Sequence, residues 1–296
     1  MITELGLGVL RARGADAVSF LQGQLSNDTT RLQSGRLQLS GYHTPQGRAI
    51  ALLRLTSLAP DDLLAVLPRE LVPPVVARLK RYVLRAKVQI SDDSAQWQIL
   101  GYQGEAPAVP AGVLCLPYGK SRQLVLIPTL AGALPAALHS SPAADAAAGT
   151  RSDWAAGDIA DGLPQVYLPT SEAFVAQMLN LDVTDGIALD KGCYTGQEII
   201  ARAHYRGQVK RRMQRFASQL PCDLKPGQSG LLSDGRSFKV VEAAALADGH
   251  CEFLAVTNPA PGSDAEAEVD AESAETQTRL VAHQLELPYA LPAGRG

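Results

Sequence analysis

The segment from residue 41 to residue 90 constrains the fold of this chain most strongly. GYHTPQGRAIALLRL predicts a strand, a turn at Pro45-Gln46-Gly47 and a second strand, and DLLAVLP follows as a short apolar strand. Pro73-Pro74 then opens a helix, and AKVQI resumes a strand. The helix has one apolar side, made of Val75, Val76, Leu79, Tyr82 and Val83. This β–β–α–β order predicts an open-faced α+β sandwich rather than a doubly wound parallel sheet.

The remaining segments predict different kinds of structure. LGVLRAR predicts a strand, and ADAVSFLQGQL, SEAFVAQML and GQEIIARAH predict three helices. Residues 128–150 are rich in Ala, Pro and Ser, which predicts a short helix and then a linker. After Gly207, short strands separated by KPGQSG, SDGRS and ADGH predict a small β-barrel or sandwich. Residues 261–276 carry six acidic residues and no basic one, as in a solvated insertion.

Composition limits the class of protein. The length of 296 residues suits about two domains, and 46% apolar with 19% charged residues is typical of a soluble globular protein. The net charge is −3, so any electrostatic role must be local. The chain has neither an apolar run of about 20 residues nor a basic leader before an apolar stretch. We therefore expect a cytoplasmic protein without a membrane segment.

Four cysteines are present and lie far apart: Cys115, Cys193, Cys222 and Cys251. No C-x-x-C pair and no cysteine–histidine cluster with zinc spacing occurs, so we expect no metal site. A structural disulfide is not expected in a reducing compartment. A resident iron–sulfur cluster normally takes four thiolates in a tight motif, and this chain lacks that motif.

Cys193 stands in the least ordinary stretch, DKGCYTGQEIIARAHYRGQVKRR. Thr195 and Glu198 fit a capping box, which would place Cys193 just before a helix start. The helix dipole and the nearby Lys191 both favour a thiolate, and the glycines at 192 and 196 permit close approach of a partner. The alternative is an inert buried cysteine, which is what we expect of Cys115.

Six of the fourteen residues from Arg202 to Arg215 are basic. They could form a solvated strand face or contact an anion. One hypothesis for the whole protein is a tRNA-binding module that uses Lys210, Arg211, Arg212 and Arg215. The net charge and the aromatic content of 5% argue against it.

KGCYTGQE followed by ARAHYRGQVKRRM resembles the hallmark segment of the YgfZ family, whose members are folate-binding proteins related to the glycine-cleavage T-protein, an aminomethyltransferase. The resemblance extends to FLQGQLSNDTTRL, RLKRYVLRAKVQI, WAAGDIADGLPQV, FVAQMLNLDVTDGIALDKGC and LELPYAL. About two-thirds of the chain is similar, whereas residues 95–150 and 217–280 match poorly.

The resemblance implies a T-protein-like α+β fold around a central hole. A discontinuous folate-binding region would span residues 1–206, with a ferredoxin-like α/β part at about 48–150, and a C-terminal β-barrel would span 207–296. The T-protein carries an acidic pair shortly after the glycine that matches Gly47. This chain has Arg48-Ala49-Ile50-Ala51 there, which disfavours the alternative function, folate-dependent one-carbon (aminomethyl) transfer.

The resemblance also implies a function and a ligand. The expected protein is a folate-dependent accessory factor for the assembly or repair of iron–sulfur clusters in client enzymes, including tRNA-methylthiolating enzymes. Cys193 would be its reactive residue, supported by Lys191, which we expect to serve function rather than the fold. The ligand would be tetrahydrofolate or another reduced folate, and the partners would be client iron–sulfur proteins, with no stable nucleic acid and no membrane.

The implied folate contacts are several. Trp154 would supply an aromatic face, or else pack in the core. Gln177 and Asn180 would meet the pterin edge, or else cap a helix end. Lys191, Tyr194 and Arg202 complete the predicted set, in which the two cations would contact the glutamate tail or another anion.

Overall fold

The computed structural model describes residues 1–131, 150–205, 209–259 and 279–292. The strands in chain order are β1 (Ile2–Glu4), β2 (Leu7–Arg13), β3 (Gln38–His43), β4 (Ala49–Ala59), β5 (Asp62–Pro68), β6 (Gln89–Asp92), β7 (Trp97–Gln103), β8 (Leu114–Tyr118), β9 (Arg122–Pro128), β10 (Arg212–Ser218), β11 (Ser229–Leu232), β12 (Ser237–Ala245), β13 (Cys251–Thr257), β14 (Arg279–Leu280) and β15 (Ala282–Leu285). The α-helices of the described residues are α1 (Ala17–Gln22), α2 (Val72–Lys80), α3 (Arg151–Ala160) and α4 (Gln197–Tyr205).

The strands form three sheets. A central sheet has the order β3-β4-β5-β2-β6, a flanking sheet β1-β7-β9-β8, and a barrel sheet β14-β11-β12-β13-β10-β15. The predicted β–β–α–β order is present as β4, β5, α2 and β6, with β3 as one further strand before it. β2 lies between β5 and β6 and pairs antiparallel with both. The predicted turn is also present, because Gly47 has a φ of 73° and the Thr44 amide bonds the Arg48 carbonyl.

Both faces of the central sheet are buried. On β5, Leu63, Ala65 and Leu67 join the core beneath α1 and α2, while Leu64 and Val66 pack against Ile99, Leu124 and Leu126 of the flanking sheet. This alternation follows from the two-residue period of a strand. The sheet is therefore not open-faced as predicted, since the flanking sheet covers the side away from the helices.

One short stretch near the C-terminus joins the two edges of the nearly closed barrel sheet. β14 pairs with β11, and β15, two residues later, pairs with β10 at the opposite edge of the same sheet. β10 and β11, which would otherwise be the edge strands, thereby gain partners. The predicted α+β class with a C-terminal β-barrel is confirmed.

SEAFVAQML does not form the predicted α-helix. Only Ala176–Leu179 are helical, as a 3-10 turn. The amide of Ala49 bonds the Phe174 carbonyl, the amide of Glu172 bonds the Ala49 carbonyl, and Glu172 has a positive φ. Tertiary pairing with the start of β4 therefore overrides the helical spacing of the apolar residues.

Several predictions fall outside the described residues. These are most of the linker at 128–150, the acidic stretch at 261–276 and the boundary between residues 206 and 207. The division into a region at 1–206 and a barrel at 207–296 remains a prediction. In the described ranges, no helix combines the length and apolarity that a membrane crossing requires.

Candidate functional site

Cys193 lies in the loop at residues 190–196 that leads into α4, which we call the cysteine loop. Of the four cysteines, Cys193 alone is exposed, whereas Cys115 and Cys222 are half-buried and Cys251 is buried. The loop ends at Gly196, which has a φ of 85°. A Cβ atom there would lie 2.5 Å from the Thr44 carbonyl oxygen, so only glycine lets the loop pack on the turn after β3.

Lys191 anchors the cysteine loop to the chain that follows α1. Its buried ammonium donates three hydrogen bonds, to the carbonyl oxygens of Gln22 (2.7 Å), Leu25 (2.7 Å) and Asn27 (2.8 Å). Burial lowers the pKa of Lys191 to about 8, an effect that the carboxylate of Asp28 partly offsets. All three N–H bonds are used, so this geometry gives Lys191 a structural role and leaves it no donor for the predicted anion or thiolate.

The start of α4 differs from the predicted capping box. The helix begins at Gln197, and its first backbone bond runs from the Ile200 amide to the Gly196 carbonyl. The Glu198 carboxylate pairs with Arg202 at 2.9 Å instead of returning to the Thr195 amide. Cys193 therefore lies four residues before the helix, and Arg202, a predicted folate contact, is an exposed partner of Glu198.

The side chains of Gln177 and Asn180 donate hydrogen bonds that connect separate segments of the chain. Asn180, fully buried with a φ of 57°, donates to the Met213 carbonyl of β10 at 2.9 Å. Gln177 donates to the Ile200 carbonyl of α4 at 2.6 Å, and its Oε1 atom has no hydrogen-bond partner. Of these two predicted pterin contacts, Gln177 keeps an unused acceptor.

Two buried aromatic side chains, one in the cysteine loop and one packed against it, carry polar atoms without hydrogen-bond partners. Tyr194 is buried with its ring 5.0 Å from the Lys191 nitrogen, and its hydroxyl has no hydrogen-bond partner. His43, at the end of β3, is buried against Gly196 with both ring nitrogens unpartnered. Burial lowers the pKa of His43 to about 4, so the ring is neutral at physiological pH. Sequence reasoning missed His43, because one histidine after a strand carries no distinctive signal.

Trp154 lies in the core rather than on an open surface. Its ring packs on Gly101, where a Cβ atom would come within 2.4 Å of the indole, and the Arg122 guanidinium lies 4.6 Å from the ring centroid. Tyr118 packs against it with centroids 5.2 Å apart. The exposed fraction of Trp154 is 9%, so the predicted aromatic platform has no open face in this geometry.

Beside Trp154, buried charged groups from all three sheets and α3 form what we call the junction cluster. Arg122 pairs with Asp161 at 2.7 Å and lies 3.0 Å from Oδ1 of Asp158. Burial raises the pKa of Asp158, and the positive charge of Arg122 partly offsets the increase. Arg54 and Tyr118 complete this side of the cluster, with the guanidinium 4.9 Å from the Tyr118 ring centroid. The sequence offered no signal for Arg122.

Glu242 joins the junction cluster from the barrel sheet. It follows the register shift in β12 and accepts a hydrogen bond from the Tyr167 hydroxyl. Burial raises the pKa of Glu242 from 4.5 to about 7, and the negative charge of Asp158 adds to the increase. Glu242 is therefore a buried acid that titrates near neutral pH.

Glu242→Gln should remove the contribution of Glu242 to the pH dependence of stability. Between pH 4.5 and about 7 the folded chain keeps a proton on Glu242 that the unfolded chain has lost, so this residue's contribution to the free energy of unfolding falls as pH rises through that window. His43 acts in the opposite direction, because burial lowers its pKa from 6.5 to about 4, so wild type and variant are compared at each pH. The difference between them should change by about 3 kcal/mol across the window. Denaturant unfolding at several pH values measures it. Glutamine keeps an acceptor for Tyr167, and the exposed Glu105→Gln is the control, for which the wild-type slope should persist.

Arginines of the basic run at residues 202–215 form ion pairs within the fold. Arg212 makes a bidentate pair with Asp182 and donates to the Gln177 carbonyl. Arg215 pairs with Glu252 at 2.7 Å. Both guanidiniums hold β10 against its neighbours, which weakens the hypothesis of a tRNA-binding surface in this run. In the described part of the chain, no group of three or more metal-ligating side chains occurs.

Comparison with known proteins adds to this geometry. No protein-family model matches the chain. An uncharacterized protein of Haemophilus influenzae is 30% identical over 287 residues, covering 96% of this chain and 95% of that protein. The tRNA-modifying protein YgfZ of Edwardsiella ictaluri is 31% identical over 276 residues, covering 83% and 81%. The chain belongs to the YgfZ family. The protein of the same name from Escherichia coli O157:H7 is 30% identical over 274 residues, with the same coverage.

The fold of this YgfZ-family chain also has a solved counterpart. The glycine cleavage system aminomethyltransferase T from Bartonella henselae superposes with a TM-score of 0.66 at 13% identity, covering 87% of this chain and 78% of that one. The predicted T-protein-like fold is therefore confirmed. After the turn at Gly47, this chain places the buried Ala49 and Ala51 and an Arg48 whose guanidinium donates to the Glu172 and Ala173 carbonyls.

Proposed function

We propose that this protein is a folate-dependent accessory factor that helps to assemble or repair iron–sulfur clusters in client enzymes, including tRNA-methylthiolating enzymes, and that it acts through Cys193. Membership of the YgfZ family supports this proposal, since relatives are named tRNA-modifying proteins. The observation that carries it is the placement of Cys193, the single exposed thiol, on a loop that Lys191 and Gly196 fix at both ends.

An exposed thiol on an anchored loop suits a transient partner. A thiolate can donate to iron or attack a sulfur atom only where the partner can reach it. The described residues offer no set of ligands that would retain a cluster permanently. Cys193 would therefore engage a client's cluster or sulfur briefly and release it.

Unused acceptors in the interior support a folate site. A pterin presents ring N–H and amino donors, and a buried acceptor without a hydrogen bond costs free energy until such a donor arrives. Gln177 Oε1 is an acceptor of this kind, and the Tyr194 hydroxyl adds a further polar group. These groups would hold and orient the pterin, whereas Asn180, Lys191 and Arg202 already have partners. The bound folate would be tetrahydrofolate or another reduced folate.

The chain lacks a group that the alternative function, one-carbon transfer, requires. The segment after Gly47 holds no carboxylate to take up a proton or orient the folate amine. Arg48 there is engaged with carbonyl oxygens of the 172–173 segment. Incubating the protein with tetrahydrofolate and an aminomethyl donor should yield no methylene-tetrahydrofolate. Steady turnover would favour the alternative.

The proposed function is tested at the level of the whole protein. Cells that lack it should lose most methylthio modification of tRNA, and the wild-type chain should restore it. Depletion of tetrahydrofolate should reproduce the loss while the protein is present. Full methylthiolation without the protein would contradict the client role, and full methylthiolation under folate depletion would contradict the folate dependence.

Trp154→Ala should destabilise the fold by roughly 3–5 kcal/mol, because it removes a large buried side chain. Any loss of function in that variant would then reflect the lost stability of the fold rather than a lost folate contact. Trp154→Phe keeps most of the packing and separates the two roles. If Trp154 contacts folate, tetrahydrofolate affinity should fall in Trp154→Phe and not in the control Trp97→Phe, as measured by titration. Equal affinities in all three proteins would assign Trp154 to the core alone.

A further inference from the structure

Two cysteines outside the proposed function lie side by side in the barrel sheet. β10 and β13 pair with Ala217 opposite Glu252, so the chain leaving β10 runs beside the chain entering β13. The amide of Cys222 donates to the Gly249 carbonyl at 3.3 Å, and the His250 ring lies 3.2 Å from the Gln219 carbonyl oxygen. Cys222 and Cys251, 29 positions apart in sequence, are thereby brought together.

The Cys251 thiol contacts the backbone of Cys222. Cys251 donates its S–H to the Cys222 carbonyl oxygen at 2.6 Å. Burial raises the pKa of Cys251 to about 11, and a hydrogen bond with the Cys222 thiol adds to the increase. Cys251 is buried and Cys222 is half-buried. An oxidant from solvent therefore meets Cys222 first, and Cys251 stands next to it with its proton retained.

We propose that Cys222 and Cys251 form a reversible oxidation site that takes a peroxide and closes to an intramolecular disulfide. The Cys222 thiolate attacks one oxygen of hydrogen peroxide, the O–O bond breaks, and the products are a sulfenic acid and a hydroxide ion. The Cys251 sulfur then attacks the Cys222 sulfur, and the S–O bond breaks. The thiol proton of Cys251 leaves with the sulfenic oxygen as water. In total, two thiols lose two electrons and two protons, and one peroxide becomes two waters.

The disulfide would clip the barrel sheet. It closes the stretch from Cys222 to Cys251, which contains β11 and β12. Closing a loop of that length restricts the unfolded chain and so stabilises the folded one. A dithiol reductant reverses the bond by thiol–disulfide exchange. The barrel thus has a reduced state and a more stable oxidised state.

The test uses the full chain with Cys193→Ser, which removes the exposed thiol and its intermolecular disulfides. After hydrogen peroxide, peptide mapping without reductant should show Cys222 linked to Cys251, with a mass loss of two hydrogens that dithiothreitol reverses. The melting temperature should rise by about 5 °C or more on oxidation and return on reduction.

Cys222→Ser in the same background is the matched control, since Cys222 is half-buried and the substitution is small. It should show neither the linked peptide nor the temperature shift. Two results would overturn the proposal. One is sulfinic acid at Cys222 with Cys251 still a free thiol. The other is complete recovery of both free thiols after peroxide that oxidises a small-molecule thiol under the same conditions.

Discussion

Lys191→Met should lower the free energy of unfolding by roughly 2–4 kcal/mol. Methionine keeps an unbranched side chain, one atom shorter than that of lysine, but donates no hydrogen bond, so three carbonyl oxygens lose their shared donor. A shift in melting temperature of about 5 °C or more should follow. The sequence alone favoured the opposite outcome, a variant with unchanged stability and reduced function.

The control for this variant is Lys225→Met, whose lysine side chain is 70% exposed. Its melting temperature should stay within about 1 °C of wild type, because exposed ion pairs contribute little. Proteolysis should also cut the Lys191→Met chain faster near the cysteine loop than elsewhere. If Lys191→Met and Lys225→Met melted together, the three hydrogen bonds would not anchor the loop, and the predicted role of Lys191 at an anion would regain its place.

The fold could be predicted from the sequence wherever the local residue pattern and the tertiary packing favour the same structure. The β–β–α–β segment and its turn at Gly47 follow from alternating apolar residues and a glycine with a positive φ. The barrel follows from short strands separated by glycine turns. At SEAFVAQML the apolar spacing is helical, but the backbone of residues 172–174 bonds to Ala49, more than 120 positions away in sequence, and no local pattern reveals such a partner.

The candidate site was readable only in part for the same reason. The octapeptide around Cys193 is long and specific, and it singled out the one exposed thiol. The partners of Lys191 lie between 164 and 169 positions away in sequence, so its structural role could not be predicted. The junction cluster joins Arg122, Asp158 and Glu242 from distant segments, and only Asp158 fell within a segment that resembled the family.

Cys193→Ala should abolish most of the function while leaving the fold intact. The side chain is exposed, so its removal opens no cavity, and the free energy of unfolding should change by less than about 0.5 kcal/mol. Tetrahydrofolate affinity should persist, since the proposed pterin contacts are other residues. The wild-type thiol should also be alkylated faster than those of Cys115, Cys222 and Cys251, which are half-buried or buried.

Methylthiolation of tRNA in cells carrying only the Cys193→Ala chain tests the central claim most directly. Cys222→Ala is the matched control, because it removes a different thiol from the same protein. With equal protein levels, Cys193→Ala should restore less than about a tenth of the wild-type modification, the loss expected when a reacting group is removed, and most visibly under oxidative stress. Cys222→Ala should restore it nearly fully. Wild-type methylthiolation with alanine at position 193 would contradict the account and return Cys193 to an ordinary surface residue.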